Sequence, residues 1–259
     1  MCVSTPMYPR EEIMTSTNQR HRPNVLLVHG ASDGSVWTPI IQWLQFQQFN
    51  VVASQMPLTS FEEDVKAVER DLRALNGSTV VVGHTYGGLV ITQAASKKTN
   101  VASLVYVAGF AFDINETMAD MLAKHPTPAA KFMVPIDANE KPPFLIIRRD
   151  KFPEFVCPDV FRPDADAIAA TAAPISGALF SAKITTVPAW KQFPTWYLIF
   201  SEDQLFHPDT QREIAQRAAP PGRIDSIRAS HLGIVSSPLQ VARFIMQAAD
   251  ESIAMAHSS

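Results

Sequence analysis

Residues 80–90 read VVVGHTYGGLV: three valines lead into Gly83, one hydroxyl-bearing residue stands at Thr85, and Gly87 and Gly88 follow before the chain turns apolar again. The spacing Gly83-His84-Thr85-Tyr86-Gly87 is that of a sharp strand-to-helix turn that lifts one side chain above the end of a sheet. Serine usually occupies the central position of such a turn; here it is threonine. If the turn is real, a buried strand precedes it and a helix follows it, and Thr85 becomes the first candidate for chemistry.

Outward from that turn the same rhythm recurs. NVLLV (24–28) is a short apolar run stopped by His29-Gly30, as a buried strand would be. After ASDG, the segment 35–48 places Val36, Ile40, Trp43, Leu44 and Phe46 near helical spacing and predicts a helix with Ser35 as its N-cap. NVVAS (50–54) is a second strand. Ser60 and Glu63 then form a capping box opening a helix faced by Phe61, Val65, Val68, Leu72 and Leu75, which Asn76-Gly77 ends. VASLVYVAG (101–109) is a fourth strand. Strands apolar on both faces, separated by helices and short connections, predict an α/β fold with a mostly parallel central sheet flanked by helices.

The rhythm stops between about 110 and 190. That stretch is proline-rich, with helical fragments at 115–125 and 164–173 and one short strand candidate, FLIIRR (144–149). A structureless loop of that size does not belong inside a compact domain, so a helical lid inserted into the sheet is expected, with Phe132 and Phe144 among its substrate-facing walls. The pattern resumes at TWYLIFSED (195–203), continues through a helix at 209–218 and a strand at 223–230, and closes with an amphipathic helix from Pro238. Residues 1–22 read as a loose polar arm, and 23–259 as a single domain carrying the insertion.

Composition narrows the function. A chain of 259 residues with 46% apolar and 18% charged residues is long enough for one sizeable core. A formal net charge of −3 offers no basic footprint for nucleic acid, and no apolar run is long enough to suggest a membrane span. Two cysteines, Cys2 and Cys157, are no disulfide framework, so a reducing, cytoplasmic setting is expected. Nothing in the pattern asks for a cofactor or metal. Cys157 reads as packing in the lid, and His21, His125, His207 and His257 read as surface residues.

In open parallel sheets functional residues collect beyond the carboxyl ends of the strands. Four groups fall there: the loop His29-Gly30-Ala31-Ser32, the turn Thr85-Tyr86, the acids Glu202 and Asp203, and His231. Their order along the chain is hydroxyl, acid, histidine. A hydroxyl becomes a nucleophile when a neutral imidazole takes its proton, and that imidazole needs a carboxylate to hold its tautomer. Glu202 and Asp203 compete for that last place.

On these residues the chain resembles the α/β-hydrolase superfamily across nearly all of 24–250, in particular its small esterases and hydroxynitrile lyases. It shares with them the HG-type loop after the first strand, the insertion between the middle strands, and an acid 28 residues before the histidine, which favours Asp203. The resemblance implies Thr85 as nucleophile, His231 as base and Asp203 as the orienting acid. It places the N–H groups of Ala31 and Tyr86 at an oxyanion hole; beside them, Ser32 and His84 are expected to border the substrate, and His84 and His29 to support the turn and the oxyanion loop. It thus implies hydrolysis of a small carboxylic ester or related apolar substrate. Two alternatives stay open. One is a lyase, cyclase or other tailoring enzyme that uses His231 as general base with Thr85 as spectator or donor; the other is a protein that binds a small apolar ligand without turnover.

Overall fold

The computed structural model describes residues 22–256. His21, His257 and the expected arm, apart from Arg22, therefore lie outside the described residues. Arg22 itself is anchored, with its guanidinium 4.6 Å from the centre of the Phe49 ring and 3.7 Å from Asp250.

Strands and helices alternate as the apolar pattern implies: β1 (Asn24–Val28), α1 (Thr38–Phe46), β2 (Val51–Ser54), α2 (Phe61–Ala74), β3 (Thr79–His84), α3 (Tyr86–Ala94) and β4 (Val101–Val107). The insertion follows, with α4 (Met118–Lys124), β5 (Met133–Pro135), β6 (Phe144–Ile147), α5 (Phe152–Phe155), α6 (Arg162–Thr171) and β7 (Ile175–Ser176). The chain then returns through β8 (Thr195–Phe200), α7 (Pro208–Ala218), β9 (Ile224–Ile227), α8 (Gly233–Ser236) and α9 (Pro238–Ala256). Six strands pair in the order β2-β1-β3-β4-β8-β9, all in parallel.

Alternation along each strand explains the continuous apolar runs. Leu26, Val28, Val81, Leu104, Tyr106, Tyr197 and Ile199 pack on α2, α3 and α7. Val25, Leu27, Val80, Val82, Val105, Trp196, Leu198 and Phe200 pack on α1 and α9 across the sheet. Both faces are covered, so neither can be polar. Helix α3 runs so close beneath the sheet that a Cβ on Gly87 would lie 2.4 Å from the Val28 carbonyl oxygen. This proximity brings the first turn of α3 level with the ends of β1 and β3.

Three expectations need correction. Ser35 is not the N-cap: Asp33, whose carboxylate accepts the Ser35 N–H at 2.7 Å, caps a 3-10 turn, Gly34–Trp37, and α1 begins only after it. Trp43 and Phe46 do not face the core; they are 39% and 73% exposed. The buried stripe runs through Trp37, Ile40 and Leu44, and at 100° per residue Trp43 and Phe46 fall off it. The insertion is not built of helices alone: beside α4, α5 and α6, the short strands β5, β6 and β7 form a three-stranded antiparallel sheet. Only the FLII strand shows in the sequence, since β5 and β7 span three and two residues, too few for an alternating pattern to register.

Candidate active site

Strand β3 delivers the chain to Thr85, whose backbone turns at φ 46°, ψ −116°. Such a conformation costs on the order of 1–3 kcal/mol and suits a β-branched residue least. Three backbone hydrogen bonds hold it. Thr85 N–H donates to the Val107 carbonyl at 3.3 Å, and the Thr85 carbonyl accepts from Gly88 N–H at 2.9 Å and Phe110 N–H at 3.0 Å. The extra methyl has a specific seat: a Cβ at position 30 would lie 1.9 Å from Thr85 Cγ2. The methyl fills the space a side chain at Gly30 would need.

The loop after β1 is fixed by His29. Its Nε2 accepts the Met56 N–H at 3.1 Å, so Nδ1 carries the proton and donates to the Gly30 carbonyl at 2.8 Å. Burial holds this imidazole below its ordinary pKa and keeps it neutral. The expected supporting role of His29 therefore has a concrete form. Ala31 N–H and Tyr86 N–H, the expected oxyanion donors, give no backbone hydrogen bond within the described residues. Tyr86 opens α3, where no carbonyl lies one turn earlier to accept its N–H.

Asp203 and His231 meet as expected. Both are buried, at 3% and 4% exposure, and His231 Nδ1 lies 2.8 Å from Asp203 Oδ2. Asp203 is itself held by four donors: Leu205 N–H and Phe206 N–H at 2.8 Å on Oδ1, and Gln211 Nε2 at 3.0 Å beside His231 on Oδ2. Glu202 points elsewhere, accepting from the exposed Arg228 at 2.5 Å. Among the described residues no hydrogen bond joins the Thr85 hydroxyl to His231.

His84 lies beneath this pair. Its Nε2 donates to the His231 carbonyl at 2.9 Å, and its ring centre is 5.0 Å from that of His231. The other nitrogen, Nδ1, is buried without a partner. Burial, reinforced by the neighbouring His231, keeps His84 well below its ordinary pKa. His84 therefore stays neutral beside the ring of His231. His84 lines the cavity as expected, but its polar contact is with the loop of His231.

Three supporting residues escape a reading of the sequence. Asp64 accepts from Tyr86 Oη at 2.7 Å and Leu58 N–H at 2.8 Å, tying α2 to the elbow. Asp159, from the insertion, accepts from Ser230 N–H at 2.9 Å, from the Ser230 hydroxyl and from the Ser236 hydroxyl at 2.8 Å, bracing the loop of His231. Gln211 completes its own valences by accepting Phe200 N–H at 2.9 Å and donating to the Phe206 carbonyl at 2.8 Å. A signal existed for two of them. Asp64 and Gln211 fall on the apolar stripes of their helices, in line with Val68 and Leu72 and with Ile214, Ala215 and Ala218.

Above Thr85 lies a cavity of about 90 Å³. Ala31, Ser32, His84, Thr85, Tyr86 and His231 form its floor, while Met118, Leu122, Met133, Leu145, Phe152, Val156, Ile168, Ile175 and Phe180 of the insertion form its walls. Among the described residues no acidic, lysine or arginine side chain lines it. Phe132 and Phe144 do not line it either; Phe132 stacks on Phe155 at 4.8 Å instead, and the neighbouring Met133 and Leu145 face the cavity. Cys157 is buried and free, its thiol pushed by burial up to about 12. His125 and His207 are half-buried at the surface, with their rings stacked at 5.1 Å. Neither lines the cavity.

The alpha/beta hydrolase family model matches residues 25–244. The chain belongs to this family. It is 24% identical over 261 residues to "Alpha/beta hydrolase nvfD" of Aspergillus novofumigatus (strain IBT 16806), covering 90% of this chain and 98% of the relative. Among solved structures, tomato methylketone synthase I complexed with 2-tridecanone superposes with a TM-score of 0.77 at 17% identity, over 89% of this chain and 99% of that one. A pyrethroid hydrolase from Sphingobium faniae JZ-2 superposes with a TM-score of 0.73 at 20% identity, over 88% and 97%. Among the described residues no helix is long and apolar enough to cross a membrane.

Proposed function

We propose that this alpha/beta hydrolase cleaves a small, uncharged carboxylic ester, with Thr85 as nucleophile, His231 as base and Asp203 as the acid that orients it. The observation that carries the proposal is the buried Asp203–His231 pair at 2.8 Å, set on the floor of an apolar cavity beside the strained elbow of Thr85. In this scheme the Thr85 hydroxyl oxygen adds to the ester carbonyl as His231 Nε2 takes the proton. The oxyanion accepts hydrogen bonds from the N–H groups of Ala31 and Tyr86. Collapse breaks the C–O bond, and His231 returns its proton to the leaving alkoxide. Water, activated by the same imidazole, then releases the acid from Thr85. Ser32 borders the reacting carbonyl. The lining without charge favours apolar acyl and alcohol groups, because a carboxylate or ammonium would lose its hydration there without a partner. The free thiol of Cys157 is compatible with action in the reducing cytoplasm.

One observation favours a second reading. The Thr85 hydroxyl makes no hydrogen bond to His231 within the described residues, and its methyl stiffens the side chain against Gly30. In that reading His231 draws a proton from the substrate itself, in lyase or cyclase chemistry, and Thr85 is spectator or donor. Assay of the purified chain with p-nitrophenyl esters of graded acyl length separates the two. The hydrolytic scheme predicts that Thr85→Ser, freed of the methyl, raises turnover and that Thr85→Ala removes nearly all of it. Undiminished hydrolysis in Thr85→Ala rejects the nucleophile.

A further inference from the structure

The geometry points to a transition-metal site that joins the insertion to the core through His125, His207 and Asp209. One ligand atom of each lies within 4.8 Å of the other two. His125 ends α4 in the insertion, and His207 caps the N-terminus of α7 in the core. Their rings lie near parallel, at 25° with centres 5.1 Å apart. Tetrahedral coordination at bond lengths of about 2.0–2.2 Å needs donor atoms roughly 3.4 Å apart, so the two half-buried histidines and the exposed Asp209 have at most about 1.4 Å to close.

Each imidazole is backed by a carboxylate. His125 Nε2 is 3.3 Å from Glu213 Oε1, and His207 Nδ1 is 3.7 Å from Asp209 Oδ2. The remaining oxygens are occupied by cations: Lys124 sits 3.3 Å from Glu213 Oε2, and Arg212 pairs with Asp209 Oδ1. The charges of the two carboxylates are thus already balanced, and attraction must come from the imidazole lone pairs. That selects Zn²⁺, Ni²⁺ or Cu²⁺ over Mg²⁺ and Ca²⁺, which need oxygen donors. Glu213 stands where an outer carboxylate holds the N–H of a metal-bound imidazole. His207 Nδ1 accepts the Asp209 N–H at 3.2 Å. An ion at Nδ1 displaces this long bond and has Asp209 Oδ2 on the same side of the ring, 3.7 Å from Nδ1.

The placement gives such an ion a role. Met118 and Leu122 on α4, and Leu205 and Phe206 just before His207, all line the apolar cavity, and the N–H groups of the last two hold Asp203. A bound ion cross-links the cavity wall to the loop that carries the acid, and binding only to the folded state raises its stability.

The test is Zn²⁺ titration of the untagged chain in a Cys2→Ser background, read by calorimetry and by melting temperature. Both readouts are independent of ester hydrolysis, so the result stands whether or not the proposed activity does. We expect one Zn²⁺ per chain with a saturating rise in Tm, no rise with Mg²⁺, at least tenfold weaker binding in His125→Ala and in His207→Ala, and about tenfold weaker binding in Glu213→Gln. His125→Asn and His207→Asn replace the alanine variants if either loses its far-ultraviolet dichroism. No saturable uptake by the parent chain, or uptake that neither histidine substitution weakens, overturns the site.

Discussion

The floor and the walls of the cavity are held together by different physics. The floor, carried by β1, β3, β8 and the loop after β9, is a network of assigned hydrogen bonds in which Asp203 alone accepts four. The walls, supplied by the insertion, are Met, Leu, Ile, Val and Phe side chains held by packing. A hydrogen-bonded group has one productive orientation, whereas an apolar wall can be rebuilt in many ways. The floor should therefore set whether reaction occurs, and the walls should set which substrate it occurs on.

The largest effect belongs to the floor. Asp203→Asn keeps an acceptor for Leu205 and Phe206 but turns an amide toward His231 Nδ1 and Gln211. The base is then in the wrong tautomer, and kcat should fall about 10³–10⁴-fold on every ester while the fold persists. Loss on one ester only, or unchanged rates, would break the division between floor and walls. Next come the walls. Leu145→Phe and Phe180→Ala should move the preferred acyl length in opposite directions, shorter and longer, as read from kcat/KM along an ester series. Phe132→Ala should lower Tm by unstacking Phe155 while leaving that preference alone.

A smaller and more local effect tests the seat of the methyl. Gly30→Ala in the natural chain drives a Cβ to 1.9 Å from Thr85 Cγ2, so stability and activity should both drop. In Thr85→Ser the same change meets nothing nearer than 3.4 Å and should be tolerated. Additive losses in the double variant, measured by urea unfolding, would show that the methyl is not seated against Gly30. The smallest effect is on stability against pH. His29 and His84 are held by burial below their ordinary value, so from about pH 6.5 downward the unfolded chain binds protons that the folded chain refuses, and stability falls. Asp64, pushed upward by burial, acts in the opposite sense at lower pH, so the urea midpoint is best compared at pH 7.5 and 5.5. An unchanged midpoint would contradict neutral, buried imidazoles.

Most of the floor was legible in the sequence, and most of the walls were not. Val80–Val82 before Gly83, and the order of Thr85, Asp203 and His231, reflect local rules of strand, turn and chain order. The choice between Glu202 and Asp203 was carried by the interval to His231, and Glu202 proves to face Arg228 in solvent. Asp159 could not be read, because its partners Ser230 and Ser236 lie 71 and 77 residues away and neither side carries a pattern. Strands β5 and β7 were hidden because each depends on β6 for pairing.

Whether Thr85 forms a bond to its substrate decides between nucleophile and spectator most directly. Intact mass of the chain after brief exposure to a slowly turned-over ester or a phosphonate should show one added acyl or phosphonyl group. Peptide mapping should place it on Thr85, and Thr85→Ala should take up none. An unmodified chain that still turns over the ester, or an adduct that persists in Thr85→Ala, would contradict the nucleophile and leave His231 acting as base on the substrate itself.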